Sequence, residues 1–187
     1  MSALLAHLPV DLAPLGDWPG AELPSEGRES YTKNASRKAT TAARLTGYTA
    51  IADDSGLEVD ALGGAPGVES ARFSGDALTD AERCALLLER LRDVPGDRRG
   101  ARFRCVIAIA HPDGRVEIDE GSVDGQITRV PRGSGGFGYD PLFYYPPLGR
   151  TFAELGPEEK DRVSHRGAAL RRVVRRLAGG SNDILPR

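Results

Sequence analysis

Apolar residues recur along this chain with two periods, one helical and one strand-like, and their alternation predicts an α/β protein. Residues 32–46 (TKNASRKATTAARLT) place Ala35, Ala39, Ala42 and Leu45 on one face at spacings of three and four, and Gly47 stands where such a helix stops. Residues 79–92 predict a second helix, opened by Thr79 and Glu82 as a capping box and striped by Leu86, Leu87 and Leu91. Its expected duty is packing alone. Residues 2–8 and 157–161 predict short helices, and residues 165–177 a last long one with Ser164 as its expected N-cap.

Residues 49–53 (TAIAD) predict a short strand that ends on acidic side chains and gives way to a loop rich in glycine and proline. Residues 101–110 (ARFRCVIAIA) predict a strand whose later half is continuously apolar. His-Pro-Asp-Gly at 111–114 then turns into a second strand over 116–123, so the sheet is at least partly antiparallel. Pro9, Pro14, Pro19 and Pro24 keep the opening stretch extended, and a glycine-rich loop at 133–138 leads into a looped segment reaching Leu155. No internal repeat or heptad is visible.

Composition narrows the classes of function. A chain of 187 residues suffices for one ordinary domain, or for two lobes sharing one cleft. A formal net charge of −2 lacks the basic excess needed to grip a nucleic-acid backbone, so any nucleotide partner is expected to be small rather than polymeric. No run reaches the roughly 18 apolar residues of a membrane span and no signal-peptide pattern opens the chain, which points to a cytoplasmic protein. Cys84 and Cys105 sit in apolar surroundings without the close pairing of a metal or redox motif, and are expected to be reduced, buried thiols.

Four stretches carry candidate chemistry. Asp53-Asp54-Ser55-Gly56 follows the first strand; adjacent carboxylates there project differently, so one can bind a hard cation while the other turns inward, but the tetrapeptide is also good turn chemistry. In residues 135–141 (GGFGYDP) the glycines let backbone approach a ligand, and Phe137 and Tyr139 beside exposed amides would suit a stacked base and its phosphates. A tight loop with both rings in the core is the alternative. Lys160 and Ser164-His165-Arg166-Gly167 put donors near a helix start, either for an acceptor-rich ligand or as an ordinary capped helix. Glu26 is a carboxylate ahead of the first long helix, and Arg171, Arg172, Arg175 and Arg176 read as a solvated face.

The segments IADDSGLEVDALGGAPGVESARFSG, GSGGFGYDPLF and EEKDRVSHRGAAL occur in this order and spacing in one family. Over residues 20–178 the chain resembles the noncanonical purine NTP pyrophosphatases, also called inosine triphosphate pyrophosphatases. The resemblance implies an elongated mixed sheet with flanking helices, two lobes around a central nucleotide cleft, and a homodimer. It also implies Mg²⁺-dependent cleavage of ITP, dITP and XTP between the α- and β-phosphates, releasing a nucleoside monophosphate and pyrophosphate and keeping these nucleotides out of DNA and RNA. On this resemblance Asp54 is the carboxylate that binds metal and activates water, Asp53 its support, Glu26 a second metal ligand and Ser55 a phosphate or substrate contact. Phe137, Gly138, Tyr139 and Asp140 match the substrate loop, with Phe137 the stacking ring, and Lys160, His165 and Arg166 match contacts at the purine edge. Donors at that edge favour a 6-oxo over a 6-amino group. Lys33 stands where the family commonly has a glutamate.

Members of that family open with a strand and a (Ser/Thr)-x-Asn-x-x-Lys phosphate-binding segment. Met1 falls where the following helix would begin, so residues 1–187 are expected to form a single domain shortened at its N-terminus, with Lys33, Arg37 or Lys38 as substitutes for the lysine. The competing expectations are a catalytically impaired nucleotide-binding protein, and a different nucleotide hydrolase acting on modified pyrimidines or on the terminal phosphate.

Overall fold

The structure is a computed structural model describing residues 10–75 and 78–179. The helix expected over 2–8 lies outside the described residues. The proline-punctuated opening is irregular apart from one 3₁₀ turn at Leu15–Asp17. Helix α1 (Tyr31–Thr46) starts at Ser30, whose hydroxyl accepts the Lys33 N–H, and stops at Gly47 with φ 75°, a left-handed conformation that glycine adopts without strain. Its buried face carries Ala35, Ala39 and Ala42 as expected, with Tyr31, Ala43 and one polar residue, Asn34, whereas Leu45, expected on that face near the helix end, is exposed.

Strand β1 (Ala50–Val59) begins as expected but runs on through Asp53-Asp54-Ser55-Gly56, which overturns the turn reading of that tetrapeptide. Leu57 and Val59 are fully buried, and the Leu57 N–H donates to the Ser70 hydroxyl at 2.8 Å. Burial of these side chains outweighs the weak turn preference of the acidic residues before them. Helix α2 (Asp80–Arg90) carries both halves of the Thr79/Glu82 capping box and buries Cys84 and Leu87.

Strands β2 (Gly100–Ala110) and β3 (Val116–Ile127) follow, joined by a turn in which the Gly114 N–H donates to His111 O at 3.0 Å. Strand β3 extends past the expected end at Val123. The segment read as loop contains two further strands, β4 (Phe143–Tyr145) and β5 (Arg150–Thr151), too short to show a period in sequence. Gln126 lies opposite Tyr144, and Tyr144 opposite Thr151. Gly125 lets β3 and β4 approach, since a Cβ there would fall 2.5 Å from Tyr144 O. The strand order is β1-β2-β3-β4-β5 and the sheet is antiparallel, where a mixed sheet was expected. Helices α3 (Pro157–Val163) and α4 (His165–Gly179) close the chain, separated by Ser164 in an extended conformation.

The chain divides into two compact units. One comprises Met1–Asp54, Cys105–Gly121 and Arg166–Arg187, the other Ser55–Arg104 and Ser122–His165. The first packs Cys105, Ile107 and Ile109 of β2 against Ala169, Leu170 and Val173 of α4. Arg176, from the arginine face read as solvated, forms a paired hydrogen bond with Asp119 at 3.0 and 2.9 Å. The second unit is cored by Leu57, Leu87, Leu91 and Leu142 with an aromatic group in which Phe143 lies 4.6 Å from Phe103 and 4.8 Å from Phe152. Neither cysteine forms a disulfide and both are buried, as expected. No helix among the described residues is long and apolar enough to cross a membrane.

Candidate functional site

In the first unit the chemistry centres on Asp54, a carboxylate only 6% exposed. Consecutive strand residues face opposite sides, and the two aspartates accordingly meet different partners. Asp54 Oδ2 accepts from Asn34 Nδ2 at 2.9 Å, whereas Asp53 Oδ2 accepts from Arg166 Nε and NH2 at 3.1 and 2.8 Å. The Asn34 amide also exchanges hydrogen bonds with the backbone of Gly27, accepting at 2.8 Å and donating at 3.0 Å. One side chain of α1 thus ties the segment carrying Glu26 to the acidic strand.

One helical turn beyond Asn34, Lys38 reaches the same place. Its ammonium is 2.7 Å from Glu26 Oε1 and 3.9 Å from Asp54 Oδ1, so both carboxylates converge on one cationic group. Among the described residues no group of three or more His, Cys, Asp or Glu is arranged to hold a metal. A site of two carboxylates is nonetheless the kind Mg²⁺ uses, because that ion keeps waters and takes its remaining oxygens from substrate phosphates. Glu26 and Asp54 fit this donor set.

In the second unit the glycine-rich loop presents a ring. Phe137 is 58% exposed, and Lys160 Nζ lies 4.3 Å from its centroid. Lys160 also pairs with Asp140, which is buried and accepts the Phe137 N–H at 2.8 Å. Gly136 leaves room for that carboxylate, since a Cβ there would meet Asp140 Oδ2 at 2.0 Å. Tyr139 is buried and donates its hydroxyl to Ser70 O at 3.0 Å, so it anchors the loop from the core. Burial pushes that hydroxyl well above the ordinary tyrosine range. The two rings thus part: Tyr139 is tucked into the core and Phe137 is exposed. Two of the loop amides already have partners within the protein: the Phe137 N–H goes to Asp140 and the Gly138 N–H to Asp80 at 2.6 Å.

His165 is buried with its ring stacked on Phe103 at 4.7 Å, and Ser55 is half-buried on β1. The candidate residues thus form two sets: Glu26, Asp53, Asp54 and Arg166 in the first unit, and Ser55, Phe137, Gly138, Tyr139, Asp140, Lys160 and His165 in the second. Sequence reasoning missed Asn34, although a lone amide in an alanine stripe is a readable signal. It ranked Lys38 no higher than Lys33, which pairs with Glu29 at the surface. It also gave α2 no role beyond packing, yet Asp80 of that helix holds the loop.

One unit of this α/β protein thus carries an acidic strand segment steadied by an amide and a lysine, and the other an aromatic glycine loop. A sequence profile of the Ham1 family matches residues 1–176. The chain belongs to the Ham1 family, which bears out the resemblance read from its sequence. It is 53% identical over 176 residues to a dITP/XTP pyrophosphatase of Thermus thermophilus, covering 94% of this chain and 84% of the relative. It is 51% identical over 174 residues to a dITP/XTP pyrophosphatase of Desulforamulus reducens, covering 93% and 87%. A solved HAM1 protein of Coxiella burnetii superposes with a TM-score of 0.89 at 42% identity, covering 96% of this chain and 91% of that one. A nucleoside-triphosphatase / dITP/XTP pyrophosphatase of Mycobacterium abscessus superposes with a TM-score of 0.77 at 46% identity, covering 92% and 90%. These comparisons give no support to the expected N-terminal shortening.

Proposed function

We propose that this protein hydrolyses the noncanonical purine triphosphates ITP, dITP and XTP to the nucleoside monophosphate and pyrophosphate. The observation that carries the proposal is the Asp54 carboxylate, buried, oriented by Asn34 and sharing Lys38 with Glu26. Relatives about half identical over nearly the whole chain, named as dITP/XTP pyrophosphatases, support the same substrate class.

The triphosphate is assigned to the Asp54 set, and the base to the Phe137 set. Mg²⁺ held by Glu26 and Asp54 would neutralise phosphate charge and acidify an attacking water. Asp54 orients that water for in-line attack at the α-phosphorus and accepts its proton, while Lys38 offsets charge on the phosphates. Phe137 stacks on the purine, and Lys160 and His165 supply donors to its 6-oxo group. Adenine puts an amino group there, which leaves a donor without an acceptor at a cost of about 1–3 kcal/mol and disfavours ATP. The family likeness supports a homodimer working in the cytoplasm.

The test is pyrophosphate release from dITP and XTP, against ATP and GTP, with Mg²⁺ and after chelation. Asp54→Asn should lower kcat by about 10³-fold or more with the thermal midpoint largely kept. Turnover retained in Asp54→Asn, or orthophosphate as the product, contradicts the mechanism.

A further inference from the structure

Several backbone groups of the loop over 136–140 have fixed partners. Beside the Phe137 N–H bond to Asp140, the Asp140 N–H returns to Phe137 O at 3.2 Å, closing a turn around Gly138 and Tyr139. Gly138 occupies the first central position of that turn with φ 58°, a conformation that glycine adopts readily. A Cβ added to Gly138 would meet nothing within 4 Å, so no neighbour packs on that side of the residue.

Two side chains of α2 hold it. Asp80 Oδ2 accepts the Gly138 N–H at 2.6 Å, and one turn along the helix Cys84 Sγ donates to Gly138 O at 3.4 Å. The N–H belongs to the peptide unit before Gly138 and the carbonyl to the unit after it, so each flanking unit has its own restraint. Arg83 takes the other carboxylate oxygen, Asp80 Oδ1, at 2.6 Å, which leaves Oδ2 for Gly138. The Arg83 guanidinium and then the Gly138 N–H hold the Asp80 carboxyl below the usual range, so it stays an acceptor at neutral pH. Phe137, the exposed ring, hangs from the first of the two restrained peptide units.

We propose that Asp80 and Cys84 are positioning residues that fix the Gly138 turn and thereby hold the Phe137 ring in the pose that stacks on the purine, making α2 a determinant of base affinity. The inference rests on the nucleotide function proposed above and assigns that function two residues outside the expected set. A competing role for Asp80 is purely local, since an acidic residue in the first turn of a helix is favoured by the helix dipole.

The two roles separate by conservative rescue. Asp80→Ala should raise the KM for dITP about tenfold with kcat little changed, the size expected for one partly exposed hydrogen bond to a charged group that serves ground state and transition state alike. Asp80→Asn keeps a carbonyl acceptor for Gly138 and should restore KM, although it lacks the charge that a dipole role needs. Cys84→Ala should raise KM less, and Cys84→Ser should reverse the rise. In the wild-type protein the Gly138 amide should exchange slowly with solvent, and in Asp80→Ala quickly. An unchanged KM in Asp80→Ala, an equal rise in Asp80→Asn, or a fast-exchanging Gly138 amide in the wild type overturns the proposal. If the wild type releases no pyrophosphate from dITP, the function reading fails, and amide exchange, which needs no turnover, decides the positioning role alone.

Discussion

Replacing Asn34 with alanine removes a buried amide that joins Glu26's segment to Asp54. Four hydrogen bonds go with it: a buried one to the Asp54 carboxylate at 2.9 Å, the reciprocal pair with Gly27 at 2.8 and 3.0 Å, and a long one accepted from Arg37 at 3.3 Å, whose guanidinium keeps its bond to Ser25 O. A bond to a charged group contributes about 1.5–3 kcal/mol, and each half-buried Gly27 group, which water can partly satisfy, about 0.5–1.5 kcal/mol. The expected loss of stability is therefore about 3–5 kcal/mol. At the roughly 2–4 °C per kcal/mol typical of chains this long, the thermal midpoint should fall by about 6–20 °C. In urea the midpoint should drop at constant slope, since the surface exposed on unfolding is unchanged. Activity should fall further than stability explains, by about 10²-fold in kcat below the melting range, because a carboxylate displaced by about 1 Å no longer aligns the attacking water. Asn34→Asp sharpens the comparison by setting an acceptor against Asp54 where a donor stood. Stability within about 1 kcal/mol of wild type, together with a near-normal kcat, would refute the idea that this amide holds the site.

The two rings of the loop should part company under mutation. Phe137→Ala should raise the KM for dITP by about ten- to a hundredfold, the worth of one stacked base, and leave the melting temperature nearly unchanged. Tyr139→Phe, which loses only the bond to Ser70 O, should cost about 1 kcal/mol in denaturant unfolding with KM unaltered; the reverse pattern would exchange their roles. Burial pushes the Cys84 thiol up to about 11, so at pH 8 it stays protonated and should resist iodoacetamide in the folded protein while reacting readily in urea. Fast labelling of Cys84 in native conditions would contradict its buried donor role.

Much of this protein follows from local chemistry. The alanine period of α1, the Thr79/Glu82 capping box and the apolar run of β2 act between residues a few positions apart, so each element was legible in the chain alone. Tertiary structure decided what depends on distant partners. Burial of Leu57 and Val59 kept Asp53, Asp54 and Ser55 in a strand where local preference favoured a turn, and β4 and β5 exist because neighbouring strands pair with segments too short to carry a period. Three-dimensional packing alone sent Tyr139 into the core while leaving Phe137 exposed, and it alone chose Lys38 over Lys33. It also brought Asp80 to a glycine 58 residues away, where two hydrogen bonds restrain a backbone that has no side chain of its own to restrain it.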